Sequence, residues 1–247
     1  MQLTTFLWLV LAGIGGGLTG SIAGLASLVT YPALLAVGLS ARAANVTNTV
    51  SLVFNSVGSI HGSKPELSGH DSETRTLGLI AIVGGTSGAI LLLSTPGYLF
   101  TWLAPILVAL GSLAILLGNR KLSPSNHRTS IWQARVAIFA VTVYEGYFGA
   151  AAGVLLLAAI SFTRIDSFPR LNALKNLLSG LANAVAALIF TIEGVVHWLS
   201  VIPLATGALF GGLLGPIVVR HTHARPLRIL ISVAGLGLAV HLAIGVF

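Results

Sequence analysis

The eight residues Asn176–Asn183, NLLSGLAN, repeat the polar spacing of Asn48–Asn55, NTVSLVFN. Each segment places Asn, Ser and Asn at its first, fourth and eighth positions. At about 100° of rotation per residue, these three side chains fall within roughly 60° of one another on a helix. Carboxamides are costly to bury without hydrogen-bond partners. Each segment therefore predicts a helix whose narrow polar face meets another polar face, a water-filled cavity or a ligand.

The composition around these segments is that of an integral membrane protein. Of the 247 residues, 55% are hydrophobic and 8% are charged, and the mean hydropathy is +0.95. A soluble domain has about 25% charged residues, so this chain could not cover its surface with them. Apolar runs of about 20 residues predict transmembrane helices rather than a barrel. The chain has no cysteine, which excludes disulfides and Cys-based metal sites.

The apolar pattern predicts about eight transmembrane helices. The predicted spans are residues 5–29, 44–60, 77–93, 99–117, 134–160, 171–192, 199–219 and 227–246. The polar segment NRKLSPSNHRTS, residues 119–130, is the clearest interruption. The predicted organisation is a first repeat over residues 1–118, a polar linker over residues 119–132, and a second repeat over residues 133–247.

Three motifs recur in the same order and indicate a duplication. Besides the Asn-Ser-Asn spacing, glycines at positions 17, 20 and 24 recur at 146, 149 and 153, and GxxGxI at 85–90 recurs at 212–217. Duplicated halves of apolar helices are typical of secondary transporters, whose substrate site lies where the halves meet. The sequence leaves open whether the two halves are parallel or inverted.

The first helix of each half is predicted to be broken at glycine. Consecutive glycines weaken a helix, and an unwound segment exposes N–H groups that can hold an anion. The positions expected to supply this backbone are Gly16, Gly17, Gly20, Gly24, Gly146, Gly149 and Gly153. The alternative is that these glycines serve close helix packing.

Polar and basic residues at the second helix of each half are the predicted substrate ligands. They are Thr47, Asn48, Ser51, Asn55, Arg170, Lys175, Asn176, Ser179 and Asn183. Lys175 would supply a fixed positive charge, because basic residues precede both polar segments while only Asp166 is acidic nearby. The alternatives are a lysine that snorkels to the interface and amides that link helices by hydrogen bonds.

Glu145 is the one acid placed deep inside a predicted span, and we expect it to couple proton movement. Its alternative role is a salt bridge with a basic neighbour. No H-E-x-x-H, G-x-S-x-G or Walker A motif is present, so an enzyme is not predicted and no cofactor or metal is expected.

The chain resembles the TauE/SafE family of sulfite-exporter-like permeases. The resemblance rests on GxGGGxxGxxxG at residues 13–24 with Tyr31-Pro32 after it, on ANVTN at residues 44–48, and on GxxGxxxG at residues 146–153. It implies seven or eight helices in two related halves and a bacterial inner-membrane transporter of small sulfur-containing or organic anions, such as sulfite or sulfoacetate. By position it assigns the polar helix starts to Thr47 and Asn48, and to Lys175 and Asn176. The second half has no proline matching Pro32.

The sequence therefore predicts a secondary transporter of a small anion, in which one half rocks against the other. A passive anion channel and a structural membrane subunit are the alternatives. The expected partners are the anion, the lipid bilayer, protons and, in a homodimer, a second copy of the chain. Nucleic acid is not expected, because the basic residues are dispersed between apolar runs.

Overall fold

The computed structural model of the protein describes residues 2–68, 72–117, 130–161 and 166–221, and isolated residues between 233 and 244. Within these residues the chain is all-helical and forms ten α-helices. In chain order they are α1 (Leu3–Ala23), α2 (Ser27–Ala36), α3 (Ala41–Gly62), α4 (Lys64–Leu67), α5 (Ser72–Ser94), α6 (Gly97–Leu117), α7 (Ile131–Tyr147), α8 (Ala152–Ser161), α9 (Phe168–Ile192) and α10 (Trp198–His221).

Four of the described helices are long and apolar enough to cross a membrane, namely α1, α5, α9 and residues Trp198–Arg220 of α10. Shorter apolar helices are α2, α8 and residues Gly97–Leu113 of α6. Although α3 is 22 residues long, its many Asn, Ser and Thr residues lower its hydropathy. The chain is therefore a multi-pass membrane protein. The predicted eighth span lies largely outside the described residues, as do residues 118–129 of the predicted linker.

The first predicted span is divided in two by a backbone break. Gly24 follows α1 with a φ of 73°, a left-handed conformation that glycine adopts without strain. The chain then folds back, so that Ala26 lies against Gly20 and Thr30 lies against Gly16. Helix α1 itself is continuous through the three glycines at 15–17, where the sequence leaves both a break and close packing open. Packing against α2 and α10 on either side supports the helical conformation there.

The fifth predicted span is divided in the same way. Helix α7 continues through Glu145 and ends at Tyr147, and the break follows at Gly149 (φ 75°) and Ala151 (φ 58°). The hydroxyl of Tyr144 donates a hydrogen bond of 2.8 Å to the carbonyl of Ala150 and so fixes the turn. A left-handed alanine costs about 1–2 kcal/mol, so this turn depends on the surrounding structure.

Glycine contacts set the direction of neighbouring helices. Gly13 lies against Leu204 and Gly17 against Ala208, so α1 and α10 run parallel. In the same way α5 runs parallel to α7, because Gly84 lies against Thr142 and the contact continues at Gly88 and Gly146. Such small residues let helix backbones approach closely in a membrane.

Helices α3 and α9 pack against each other in opposite directions. Ser56 of α3 lies against Gly180 of α9, whereas Thr47, nearer the start of α3, accepts a hydrogen bond from the N–H of His197, beyond the end of α9. The two backbone breaks meet beside this pair, because a methyl group on Gly24 would collide with the Cα atom of Gly153. The centre of the molecule is thus formed by two antiparallel helices and two broken ones.

Candidate functional site

A cavity of about 40 Å³ lies at this centre. A single water needs roughly 10–15 Å³, so the cavity has room for a few waters or for a small anion. Its walls come from both backbone breaks and from α3 and α9. The lining residues are Gly20, Gly24, Ala26, Ser27, Thr49, Leu52, Asn55, Ser56, Glu145, Phe148, Gly149, Gly153, Lys175, Asn176, Ser179 and Asn183.

The wall formed by α9 contains the polar face predicted from the sequence. Asn176, Ser179 and Asn183 all line the cavity, and Lys175 joins them with 1% of its surface exposed. The Lys175 ammonium donates hydrogen bonds to the carbonyls of Gly20 (2.9 Å) and Ser21 (3.3 Å). These carbonyls lie at the C-terminal end of α1, where the helix dipole favours a cation. The structure thus places the buried amino group of Lys175 at the edge of the cavity.

Glu145 lies at the end of α7 and is 7% exposed. Its Oε1 atom accepts a hydrogen bond of 3.2 Å from the amide of Asn183. Its Oε2 atom is buried, and the hydroxyl of Ser179 also lies within reach of the carboxyl group. The cavity is therefore lined by one acidic side chain, from α7, and one basic side chain, from α9.

The wall formed by α3 is offset by one residue from the predicted polar face. Asn55 lines the cavity together with Thr49, Leu52 and Ser56, whereas Asn48 and Ser51 do not. The spacing of 49, 52 and 56 is the same helical pattern as 48, 51 and 55, so the periodicity alone could not choose between the two faces.

The predicted ligands that do not line the cavity have other partners. Asn48 accepts a hydrogen bond from Thr30 and donates one of 3.1 Å to Ser27, which itself lines the cavity. Ser51 donates to the carbonyl of Thr47 at 2.8 Å within α3. Asn48 thus holds α2 against α3 and positions the wall rather than forming it.

The seven predicted backbone glycines divide into two groups. Gly20, Gly24, Gly149 and Gly153 line the cavity. Gly16, Gly17 and Gly146 instead pack helices together, since a side chain there would collide with a neighbouring helix. Gly20, Gly24 and Gly153 also make close packing contacts, so the cavity-lining positions and the packing positions overlap.

Arg170 lies outside the cavity at the start of α9. Its side chain is 53% exposed, and its guanidinium lies 3.8 Å from the carboxylate of Asp166. An exposed pair of this kind contributes little to stability. Arg164, the other basic residue upstream of α9, lies outside the described residues.

Comparison with known proteins identifies the family of the chain. The family model described as sulfite exporter TauE/SafE matches residues 9–242. The chain belongs to the TauE/SafE family. It is also 27% identical over 223 residues to the probable membrane transporter protein YfcA of Escherichia coli K12, covering 88% of this chain and 81% of YfcA. The YfcA proteins of E. coli O6:H1 and O157:H7 match to the same extent. No solved structure matches the chain significantly.

Membership of the TauE/SafE family makes this chain a membrane transporter.

Phe148 is a wall residue that the sequence did not single out. Its ring packs edge-on against Tyr31, with 5.3 Å between the ring centroids, and closes the cavity on the side of α2. The available signal was its position, because it stands between Glu145 and the glycines of the second break.

Proposed function

We propose that this protein is a secondary transporter that carries a small anion, a sulfur oxyanion or a short organosulfonate, across the bacterial inner membrane by alternating access. The observation that carries the proposal is the central cavity, where the buried ammonium of Lys175 stands beside neutral amide and hydroxyl groups. The description of its family as sulfite exporters supports the chemical class of the anion. The absence of catalytic motifs from the sequence favours transport over catalysis.

The proposed ligands of the anion come from α9 and α3. Lys175 provides the charge, while Asn176, Ser179 and Asn55 provide neutral groups that donate hydrogen bonds. Helices α2 and α8 both begin at the cavity, at Ser27 and just before Gly153. The positive end of a helix dipole favours an anion at such a place. A sulfonate or sulfite group offers three oxygens to these donors.

The cavity would lie between two duplicated halves of inverted topology. This part of the proposal is supported by the antiparallel packing of α3 and α9 and by the equivalent breaks after α1 and α7. In transporters built from inverted repeats, the substrate binds near the midplane at the repeat interface, next to broken helices. Alternating access then requires the walls to separate on one side at a time.

Thermal stabilisation of the detergent-purified protein tests the proposal. The anions are sulfite, thiosulfate, sulfoacetate, methanesulfonate, acetate and sulfate. A ligand present at 100 times its Kd and bound only to the folded state adds about 2.7 kcal/mol to the free energy of unfolding. We expect a shift with at least one sulfur anion, and we expect Lys175→Met and Asn176→Ala to abolish it.

Arg170→Ala is the matched control, because it removes a positive charge from the same helix outside the cavity. It should retain the shift. Equal loss in Arg170→Ala and Lys175→Met would mean that net charge, and not the cavity, attracts the anion. No shift with any anion in the wild-type protein would contradict the proposed function.

A further inference from the structure

The charges of the cavity carry an inference that rests on the proposed function and specifies its coupling ion. Of the residues that line the cavity, Lys175 and Glu145 are the two that carry ionisable side chains. Both are at least nine-tenths buried. Coulomb interactions are strong in such surroundings because little water screens them. The total charge of the cavity therefore strongly affects which ions enter it.

The surroundings of Glu145 leave its charge balanced by a single cation. Helix α9 presents Lys175 and the neutral Asn183. Beside the end of α7, helix α5 contributes the glycine-rich stretch at residues 84–88, which has no charged residue. Helix α8, residues Ala152–Ser161, also has none. With Glu145 ionised and Lys175 protonated, the empty cavity is electrically neutral.

A bound monovalent anion changes this balance. If Glu145 stayed ionised, the cavity would hold two negative charges against one ammonium, an arrangement that is costly in a buried site. A proton on Glu145 restores neutrality and also makes one carboxyl oxygen a hydrogen-bond donor. The anion and the proton then stabilise each other's binding by the same free energy, as linkage requires.

We propose that each monovalent anion occupies the cavity together with one proton on Glu145, so that the loaded and the empty cavity are both neutral. Glu145 thus acts as the proton-coupling residue, while Lys175 remains charged throughout the cycle. The predicted transport is electroneutral symport of the anion and a proton, or the same movement reversed for export.

The pH dependence of anion affinity tests this inference. The probe is methanesulfonate, a monovalent anion whose charge stays constant between pH 5.5 and 8.5. In the wild-type protein we expect the Kd to increase with pH, by up to about tenfold per pH unit once Glu145 is ionised in the empty cavity. Glu145→Gln resembles the protonated acid and retains the acceptor for Asn183. It should bind at all pH values about as tightly as the wild-type protein does at pH 5.5.

Proton uptake accompanying the anion in proteoliposomes is the second readout, and it should be lost in Glu145→Gln. Glu145→Asp is the conservative variant, which should keep the pH dependence because it keeps a titratable acid. Wild-type binding that is unchanged from pH 5.5 to 8.5 would overturn the inference and leave the anion site standing. No binding to either protein at any pH would overturn the proposed function and the inference together.

Discussion

At the scale of single residues, the buried polar side chains satisfy the free ends of helices. Asn45 donates a hydrogen bond of 2.8 Å to the carbonyl of Tyr147, the last residue of α7. Asn172 donates one of 2.9 Å to the carbonyl of Ser21, near the end of α1. The last carbonyls of a helix have no partner within it, and water is scarce in a membrane. These amides therefore stabilise the two backbone breaks that border the cavity.

A different pair of residues joins helix ends outside the cavity. Arg220, near the end of α10, donates two hydrogen bonds to the carboxylate of Glu66, at 2.7 and 2.8 Å, and a third of 2.9 Å to the carbonyl of Gly62. This pairing lowers the pKa of Glu66, because the Arg220 guanidinium hydrogen-bonds to its ionised form. The bidentate contact connects α4, the end of α3 and the end of α10.

We predict that this pair stabilises the protein at neutral pH and stops doing so in acid. The pKa of Glu66 is lower in the folded than in the unfolded protein, so its contribution is complete above the unfolded value of about 4.5 and is lost as the pH falls through the folded value. A double-mutant cycle of Glu66→Gln and Arg220→Gln should show a coupling of about 0.2–1 kcal/mol at pH 7.

Thermal unfolding of the four proteins in detergent at pH 7 and pH 3.5 gives the coupling at each pH. It should be smaller at pH 3.5. A coupling that is the same at both pH values would show that the carboxylate charge does not contribute.

At the scale of elements, the contact between the two breaks depends on glycine at both positions. Gly24 has a left-handed backbone, and a side chain there would collide with the backbone of Gly153. Gly153 meets the same contact from the other side. Gly24 thus has two separate requirements, a positive φ and no room for a side chain. Other glycines of the chain have only one of the two and serve as comparisons.

We predict graded losses of stability when alanine replaces Gly38, Gly153 or Gly24. Gly38 also has a positive φ of 91° but has no atom within 4 Å of an added methyl group, so Gly38→Ala should cost about 1–2 kcal/mol. Gly153 has no positive φ, so Gly153→Ala adds only the collision and should cost about 1–3 kcal/mol. Gly24→Ala combines both and should cost about 2–5 kcal/mol.

Chemical unfolding of the three variants in one detergent measures this order. Gly38→Ala is the control for backbone strain alone. Equal losses in Gly24→Ala and Gly38→Ala would show that the two breaks do not touch.

The sequence predicted the elements better than their junctions. Several predicted positions line the cavity: the α9 polar face, Lys175, and the glycines at 20, 24, 149 and 153. They could be predicted because helical periodicity and glycine spacing are local properties of the sequence. Which glycine breaks α1 depends on what packs against it, since Gly17 is held helical by α10, an element almost 200 residues away. The proximity of Glu145 and Lys175 depends likewise on how α7 and α9 meet. Sequence periodicity does not contain that information.

At the scale of the whole molecule, the helices group in a way that crosses the predicted halves. Helix α10 packs on α1 and α3, and helix α5 packs on α7 and α9. The first bundle, α1, α3 and α10, and the second bundle, α5, α7 and α9, each contain a helix from the other half of the sequence. Backbone-to-backbone glycine contacts hold α1 to α10 and α5 to α7. The polar cavity lies between α3 and α9, where the two bundles meet.

We predict that alternating access moves the two bundles against each other, and not one sequence half against the other. The natural chain has no cysteine, so pairs of introduced cysteines can be crosslinked without background. Two pairs have matched geometry: a methyl carbon at Gly180 would lie 2.9 Å from Cβ of Ser56, and one at Gly84 would lie 2.9 Å from Cβ of Thr142. A disulfide needs about 3.5–4.5 Å, so each pair must open by a similar small amount.

The Ser56→Cys/Gly180→Cys disulfide joins α3 to α9 across the bundles and should stop anion uptake into proteoliposomes until it is reduced. The Gly84→Cys/Thr142→Cys disulfide joins α5 to α7 within one bundle and should leave uptake unchanged, although it connects the two sequence halves. The single-cysteine variants under the same oxidant control for the substitutions themselves. Loss of uptake in the α5–α7 crosslink that returns on reduction would show that the halves, rather than the bundles, are the moving bodies.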